Sequence, residues 1–126
     1  MARDFTNDER VLLRFLTFGE DQAALLARSQ IEAARFANYW GEGDQSFNIE
    51  SAPGVARLPV EDGVYRPSDK YFTLSSGEQG GLMLWVRSGQ IDALEVYWWA
   101  ESILRLPFPN EISDLPPLEG AGNARQ

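Results

Sequence analysis

The stretch "LMLWVRSGQIDALEVYWW", residues 82–99, decides the fold. Two apolar runs flank Ser88-Gly89, and this pattern predicts an antiparallel hairpin closed by a two-residue turn. Neighbouring side chains in a strand point to opposite faces. The adjacent Trp98 and Trp99 therefore cannot both enter one core, and the second indole needs a different environment from the first.

The order of polar and apolar residues in this hairpin predicts a β-bulge at Asp92-Ala93. Without a bulge, Glu95 would lie opposite Leu82 on the core face, which is costly for an unpaired carboxylate. A bulge shifts the alternation by one residue and separates the polar from the apolar side chains. The predicted core face then consists of Leu82, Leu84, Val86, Ile91, Leu94, Val96 and Trp98.

The opposite side of the hairpin is the candidate aromatic face, with Arg87 beside it. Its members are Met83, Trp85, Glu95, Tyr97 and Trp99. If exposed, these rings supply the amphipathic contact area that marks an interaction site. The sequence leaves three alternatives open: a partner-binding or dimer face, a face covered by the helices or the Pro-rich tail, and a small-ligand pocket.

The N-terminal residues predict a first helix. Thr6 and Glu9 have the spacing of a capping box. Four apolar residues then form one stripe: Val11, Leu12, Phe15 and Leu16. Gly19 is suited to the end of this helix. A capped amphipathic helix of this kind packs one side against a core.

Asp21 is the predicted N-cap of a second helix, with Leu25 and Leu26 facing the core. On helix propensity alone, the Ala-rich run continues as one long helix. The aromatic residues that follow and the alternation in "SFNIES" favour a hairpin of residues 34–40 with 46–51 instead.

The middle of the chain, residues 52–70, is rich in Pro, Gly and charge. It predicts a loop with a short strand around Leu58–Val60. The next predicted strand is "YFTLS", residues 71–75, with Phe72 and Leu74 pointing inward.

The C-terminal segment contains four prolines and is predicted to cross the surface in extended form. Its expected apolar anchors are Leu106, Phe108, Ile112 and Leu115. The predicted fold class is α+β: two N-terminal helices packed on one antiparallel sheet of four to five strands, with a Pro-rich C-terminal tail. We expect a single domain over residues 1–118 and disorder over residues 119–126.

The composition excludes several kinds of chemistry. The 126 residues include no Cys and no His, which rules out disulfides, thiolate metal sites and Ser-His-Asp or Cys-His catalysis within this chain. The net charge of −8 disfavours nucleic acid and anionic membranes and favours a basic partner. No apolar run approaches the length of a membrane span, so a cytoplasmic protein is expected.

Carboxylates in loops are the acid–base and metal-binding groups that remain. They are Glu42, Asp44, Glu61 and Asp62. Their spacing is not that of an EF-hand, so solvated turn residues are the favoured interpretation. Lys70 beside Asp69 is predicted to be a surface pair. We therefore expect no catalytic residue, no metal and no cofactor.

Several motifs resemble those of a widespread group of small uncharacterised bacterial proteins. The matching features are a helical stretch at residues 9–16 that fits the first eight positions of "ERxLLxxLL", "SFNIE" at 46–50, "V-R-x-G-x-I-x-x-L-E-V" at 86–96 and "L-P-x-P" at 106–109. The resemblance implies the hairpin within residues 34–51. The group has no established activity, so the resemblance implies no catalytic residue. Many members have a Cys-containing turn where this chain has Gly43-Asp44-Gln45, so a metal or redox role of that turn is absent here.

The leading functional hypothesis is a non-enzymatic protein-binding domain. Its most concrete version is an immunity-like antidote to a basic toxin, by analogy of size and charge. The alternative is a structural or accessory domain, or a homodimer, in which the aromatic face is covered. A carboxylate-dependent enzyme is the third and least favoured hypothesis.

Overall fold

A computed structural model describes residues 2–99 and 105–116. These residues form two helices, α1 (Asn7–Leu16) and α2 (Gln22–Ala33), and one antiparallel sheet. The strands are β1 (Arg35–Tyr39), β2 (Phe47–Glu50), β3 (Gly63–Thr73), β4 (Gln79–Arg87), β5 (Gln90–Trp98) and β6 (Ile112–Ser113). Their order is β1-β2-β5-β4-β3-β6. The α+β class is confirmed; the described sheet has six strands rather than four to five because the tail adds β6 to the edge beside β3.

The apolar stripe predicted for α1 is half right. Leu12 and Leu16 are buried together with Leu13, whereas Val11 and Phe15 are exposed.

The predicted capping box opens α1. The Thr6 hydroxyl accepts a hydrogen bond from the Glu9 N–H at 3.1 Å, and the Glu9 carboxylate accepts one from the Thr6 N–H at 2.9 Å. Arg3 donates two further hydrogen bonds of 2.9 Å to the same carboxylate. Burial alone would raise the pKa of Glu9, but the hydrogen bonds from Arg3 and Thr6 hold that pKa below its ordinary value. Glu9 is therefore a buried but fully partnered anion.

The cap of α2 at Asp21 is confirmed, but the predicted core-facing residues of this helix are partly wrong. Leu25 is exposed and Leu26 is half-buried. The residues that face the sheet are Ala24, Ala27, Gln30 and Ile31. Their spacing of three and four residues forms one helical stripe, and the small alanines allow the helix to approach the sheet closely.

The hairpin of residues 34–51 is confirmed, and the long-helix alternative is wrong. In β2, Phe47 and Ile49 are buried, as the alternation predicts. The buried Ser46 extends the ladder with its side chain: its hydroxyl accepts from the Val96 N–H at 2.8 Å and donates to the Val96 carbonyl at 3.1 Å.

The strand predicted at Leu58–Val60 is wrong. Leu58 is buried in a loop, where its N–H donates to the Gly89 carbonyl at 2.8 Å. The strand over residues 71–75 starts earlier than predicted, because β3 already begins at Gly63. Phe72 and Leu74 are buried, as predicted.

A break in the register of β3 explains why its first half was missed. Between Tyr65 and Lys70 the regular pairing of β3 with β4 is interrupted. Pro67 lies within this interruption, and a proline at this place in the sequence favours the prediction of a loop. The buried Ser68 restores the connection: its hydroxyl accepts from the Leu84 N–H at 2.7 Å and donates to the Tyr65 carbonyl at 2.6 Å. The Ser68 side chain thus replaces the backbone partner that the Leu84 N–H lacks where the strand pairing is interrupted.

The bulge in the last hairpin is confirmed. Val86 pairs with Ile91 but Trp85 pairs with Ala93, so Asp92 is the extra residue. At the turn, Ser88 and Gly89 have positive φ angles of 53° and 76°, as a type I′ hairpin turn requires. The predicted core-face residues are buried, except that Trp98 is half-buried and packs against the edge of the core.

The apolar anchors predicted for the tail are half right. Leu106 and Ile112 pack against the core, whereas Phe108 and Leu115 are exposed. Polar contacts hold this segment instead, because the Glu111 carboxylate accepts hydrogen bonds from the Arg105 guanidinium and from the N–H groups of Ser75 and Phe108. The expectation of disorder over 119–126 concerns residues outside the described part of the chain.

The hydrogen bonds that the Glu111 carboxylate accepts make the stability of the fold depend on pH. The Arg105 guanidinium, together with the two backbone N–H groups, lowers the pKa of Glu111 from 4.5 to about 2. A carboxyl group with a lowered folded-state pKa stabilises the fold above its unfolded pKa, and this contribution is lost as the pH falls through the folded pKa. We expect Glu111→Gln to lower the melting temperature above pH 4.5, and the difference from wild type to vanish toward pH 2.

Thermal unfolding between pH 2 and pH 7 measures this difference. Glu32→Gln is the matched control, because the Arg14–Glu32 ion pair is about half exposed on both sides and such pairs contribute little. If the melting temperature of Glu111→Gln differed from that of wild type by the same amount at every pH from 2 to 7, the prediction would be contradicted.

Candidate functional site

The two described helices pack on one side of the sheet, where Leu12, Leu13, Leu16 and Ile31 join the buried residues of β4 and β5. We call the other side the outer face. Cross-strand pairs join Met83 to Glu95, Trp85 to Ala93 and Gly81 to Tyr97, and these pairs alternate with the core pairs. The predicted candidate aromatic face therefore lies on the outer face.

Exposure differs among the members of the candidate aromatic face. Met83, Trp85, Glu95 and Tyr97 are half-buried, whereas Trp99 is 46% exposed. The Trp99 N–H donates to the Gln79 carbonyl at 3.2 Å, which continues the ladder with β4 just past the end of β5. Trp98 and Trp99 thus have the different environments that the alternation predicts.

A hydrogen bond joins the side chains of Trp85 and Glu95. The indole Nε1 of Trp85 donates to Glu95 Oε1 at 2.8 Å. The carboxylate is therefore partnered, although it lies among aromatic rings. Ala93, the residue opposite Trp85, is only 4% exposed, so neighbouring side chains cover this part of the outer face.

Trp40 belongs to the outer face and was missed by the sequence analysis. Its Nε1 donates to Asn48 Oδ1 at 3.0 Å, and Asn48 pairs with Ala93 of β5. Trp40 and Trp85 border a cleft of 490 Å³, called the Trp40–Trp85 cleft below. Its other lining residues are Asn48, Asp62, Gly63, Val86, Arg87, Asp92 and Ala93. The alternation of Asn38 and Trp40 along the chain is the signal that places Trp40 on this face.

Tyr97 lies flat over a glycine. A Cβ atom on Gly81 would be 2.2 Å from both Cζ and Oη of Tyr97, so the ring occupies the space that a side chain would fill. Tyr71 lies across β4 on the other side of Gly81, and its ring centroid is 6.4 Å from that of Trp99. Tyr71 is the second member of the outer face that the sequence analysis missed.

The hydroxyl group of Tyr97 stays protonated near neutral pH. Burial raises the pKa of Tyr97, and the neighbouring Tyr71, Asp69 and Glu95 act in the same direction. A neutral phenol both donates and accepts hydrogen bonds. Tyr97 therefore offers a polar tip on an otherwise apolar ring.

The outer face is acidic. Carboxylates outnumber guanidinium groups among the described residues that line its clefts. The carboxylates are Asp44, Asp62, Asp92 and Glu95, and the guanidinium group is that of Arg87. Arg87 Nε lies 3.8 Å from Asp92 Oδ2, with side chains that are 76% and 45% exposed. This surface pair is weak, and the electrostatic field of the face attracts cations.

Two of the four loop carboxylates cap backbone N–H groups. Asp44 accepts a hydrogen bond from the Ser46 N–H at 2.9 Å, and Asp62 accepts one from the Ser88 N–H at 2.8 Å. Within residues 2–99 and 105–116, no group of three potential metal ligands is placed to hold an ion. The predicted surface pair of Lys70 with Asp69 is wrong, because Lys70 Nζ pairs with Asp114 at 2.5 Å.

Neither of the two described helices has the length and apolar character needed to cross a membrane. Comparisons of the chain with protein-family models, with curated proteins and with solved structures find no match. The resemblance to the group of small bacterial proteins stays a prediction, and the functional argument depends on the outer face.

Proposed function

We propose that this protein is a non-enzymatic binding domain that captures a protein partner on its outer face. The observation that carries the proposal is a concentration of indole and phenol rings on a sheet face that neither described helix covers. The rings are those of Trp40, Tyr71, Trp85, Tyr97 and Trp99. Trp and Tyr are the residues most enriched among the energetic hot spots of protein interfaces.

Three of these rings are held in place before any partner arrives. Trp40 and Trp85 are hydrogen-bonded to Asn48 and Glu95, and Tyr97 lies against Gly81. Ordering a free side chain at an interface costs roughly 0.5–1.5 kcal/mol. Because these rings are already ordered, more of their contact energy remains for binding.

The charge of the chain supports a basic partner. The net charge is −8, and the clefts of the outer face are acidic. Opposite charge accelerates association and excludes acidic competitors. The most concrete form of the proposal is an immunity-like antidote that binds a basic toxin.

Trp99→Ala tests whether the outer face is the interface. We expect this change to cost about 1 kcal/mol of stability or less, because the ring is 46% exposed. We expect it to weaken the partner complex about ten-fold or more, as loss of an interfacial Trp does. Wild-type protein used as bait in extracts of the source organism supplies the partner, and calorimetry with the purified partner measures affinity.

Leu25→Ala is the matched control, because Leu25 is 52% exposed and lies on α2, across the sheet from the outer face. Equal affinities of the Trp99 and Leu25 variants would contradict the proposal. Affinity should also fall steeply with added salt, since the attraction between an acidic face and a basic partner is screened.

A homodimer formed through the outer face is the competing assembly. A two-fold dimer places the same patch against itself, so the acidic side chains would face one another and repel. We therefore favour a partner of opposite charge. Sedimentation equilibrium distinguishes the two: a stable dimer that Trp99→Ala dissociates would replace the proposal with self-association.

A further inference from the structure

We propose that the Trp40–Trp85 cleft binds a guanidinium group, supplied by an arginine side chain of the partner. The inference rests on the protein-binding function proposed above and names the chemical group that its partner presents. The cleft measures 490 Å³, which lies within the range of about 300–1,000 Å³ typical of small-ligand sites.

The two indoles contribute ring surface rather than hydrogen bonds. Trp40 already donates its N–H to Asn48 at 3.0 Å, and Trp85 donates its N–H to Glu95 at 2.8 Å. Neither indole therefore has a donor left for a ligand. What remains is the π-system of each ring, whose face is negative and attracts a cation, most often arginine.

The carboxylates of the cleft are acceptors that match the same cation. Asp92 is the extra residue of the bulge, and its side chain is 45% exposed. Asp62 lines the cleft as well, and its Oδ1 caps the Ser88 N–H at 2.8 Å, which leaves its second oxygen for a ligand. A planar guanidinium presents five N–H donors and pairs with carboxylates in a bidentate manner.

Arginine suits this cleft better than lysine. Its guanidinium is planar, stacks on aromatic rings and is more weakly hydrated than an ammonium group. A group that is flat and carries donors on its edge can contact an indole and a carboxylate at the same time. An anion would meet the ring faces and the two carboxylates and is disfavoured.

The chain's own Arg87 reaches the rim of the cleft. Its Nε lies 3.8 Å from Asp92, and the side chain is 76% exposed. A guanidinium is thus already accommodated beside Asp92, in a position where it competes with an incoming one. Removing this charge should tighten the binding of a cation and weaken the binding of an anion, which makes Arg87→Gln a diagnostic variant.

The direct experiment follows the indole N–H signals of the four Trp residues by proton–nitrogen correlation NMR. The probe is the blocked tripeptide acetyl-Gly-Arg-Gly-amide, with the Gln and Lys tripeptides as controls. We expect the arginine probe to shift the Trp40 and Trp85 signals saturably and to leave the Trp98 signal in place. No saturable shift, or an equal affinity for the Gln or the Lys probe, would overturn the assignment.

Three variants sharpen the result. Asp92→Asn should weaken binding of the arginine probe about five-fold, as the loss of one charge-assisted contact does. Trp40→Ala should abolish saturable binding of the probe. Arg87→Gln should increase the affinity for the probe about two-fold, since it removes a guanidinium that pairs weakly with Asp92 and competes with the probe. Weaker binding by Arg87→Gln would overturn the proposal. Leu25→Ala is the control for all three.

The outcome separates this inference from the proposed function. If Trp99→Ala weakens the partner complex but the arginine probe leaves the Trp40 and Trp85 signals unmoved, the outer face stands as the interface and the guanidinium assignment falls. If the probe binds as expected but the partner tolerates Trp99→Ala, the cleft recognises guanidinium and the proposed interface falls.

Discussion

Replacing Gln30 by alanine should lower the free energy of unfolding by roughly 1–3 kcal/mol, because the buried Ile91 N–H loses its hydrogen-bond partner and one buried group left unpaired costs about that much. Gln30 is 2% exposed. Its Nε2 donates to the Ala56 and Gly89 carbonyls at 2.8 and 2.9 Å, and its Oε1 accepts from the Ile91 N–H at 2.8 Å. One amide thus connects α2 to a loop and to the β4–β5 hairpin.

Urea denaturation of Gln30→Ala measures this loss. Gln22→Ala is the matched control, since Gln22 is exposed at the start of the same helix and its replacement should change stability by no more than about 0.5 kcal/mol. A loss of less than about 1 kcal/mol for Gln30→Ala would mean that the Ile91 N–H finds another partner.

Gly80→Ala is the second change with a large expected effect, a loss of about 3 kcal/mol or more from overpacking. A Cβ atom at this position would lie 2.0 Å from the Tyr97 carbonyl oxygen and 2.7 Å from Cζ of Phe72. The first neighbour is backbone of β5, so relief requires the strands to separate. Both neighbours belong to the strands that pair with β4 on either side, so neither can move without disturbing a strand pair.

Gly41→Ala is the control for this change, because a Cβ atom on Gly41 meets nothing within 4 Å. Gly81→Ala adds a graded comparison: its Cβ would collide with the ring of Tyr97, a side chain that can rotate away. Denaturation curves should therefore rank the losses as Gly80, then Gly81, then Gly41. A Gly80→Ala protein as stable as wild type would contradict the packing at the β4–β5 pair.

The elements that were predicted correctly share a local cause. The capping box of Thr6 and Glu9 needs only residues three apart, and the bulge at Asp92-Ala93 follows from the alternation within one hairpin. A hairpin brings its own partners together, so its register can be worked out without knowledge of the remaining chain. Four members of the candidate aromatic face, Met83, Trp85, Glu95 and Tyr97, were found on this basis, and Trp99, two residues after Tyr97, follows from the same alternation.

The elements that were missed depend on distant partners. Ser68 replaces a backbone partner of β4 across a break in β3, and nothing in the local pattern of Pro67 and its neighbours indicates this. Leu25 and Ala24 are adjacent on α2, yet the small Ala24 is buried and the more hydrophobic Leu25 is exposed. Hydrophobicity alone therefore does not predict which side of this helix faces the sheet. Leu115 is apolar yet exposed, because Glu111 holds the tail by polar contacts.

The sequence by itself determined which face of each strand is apolar, where the last hairpin turns and that the chain is acidic, because these properties are set by neighbouring residues and by composition. Only the tertiary structure decided that β2 lies beside β5 and β6 beside β3. The β2–β5 pairing brings Trp40 to the outer face from a distant part of the chain. The physical reason is that pairing of distant strands depends on the burial of the whole core, which no single segment encodes.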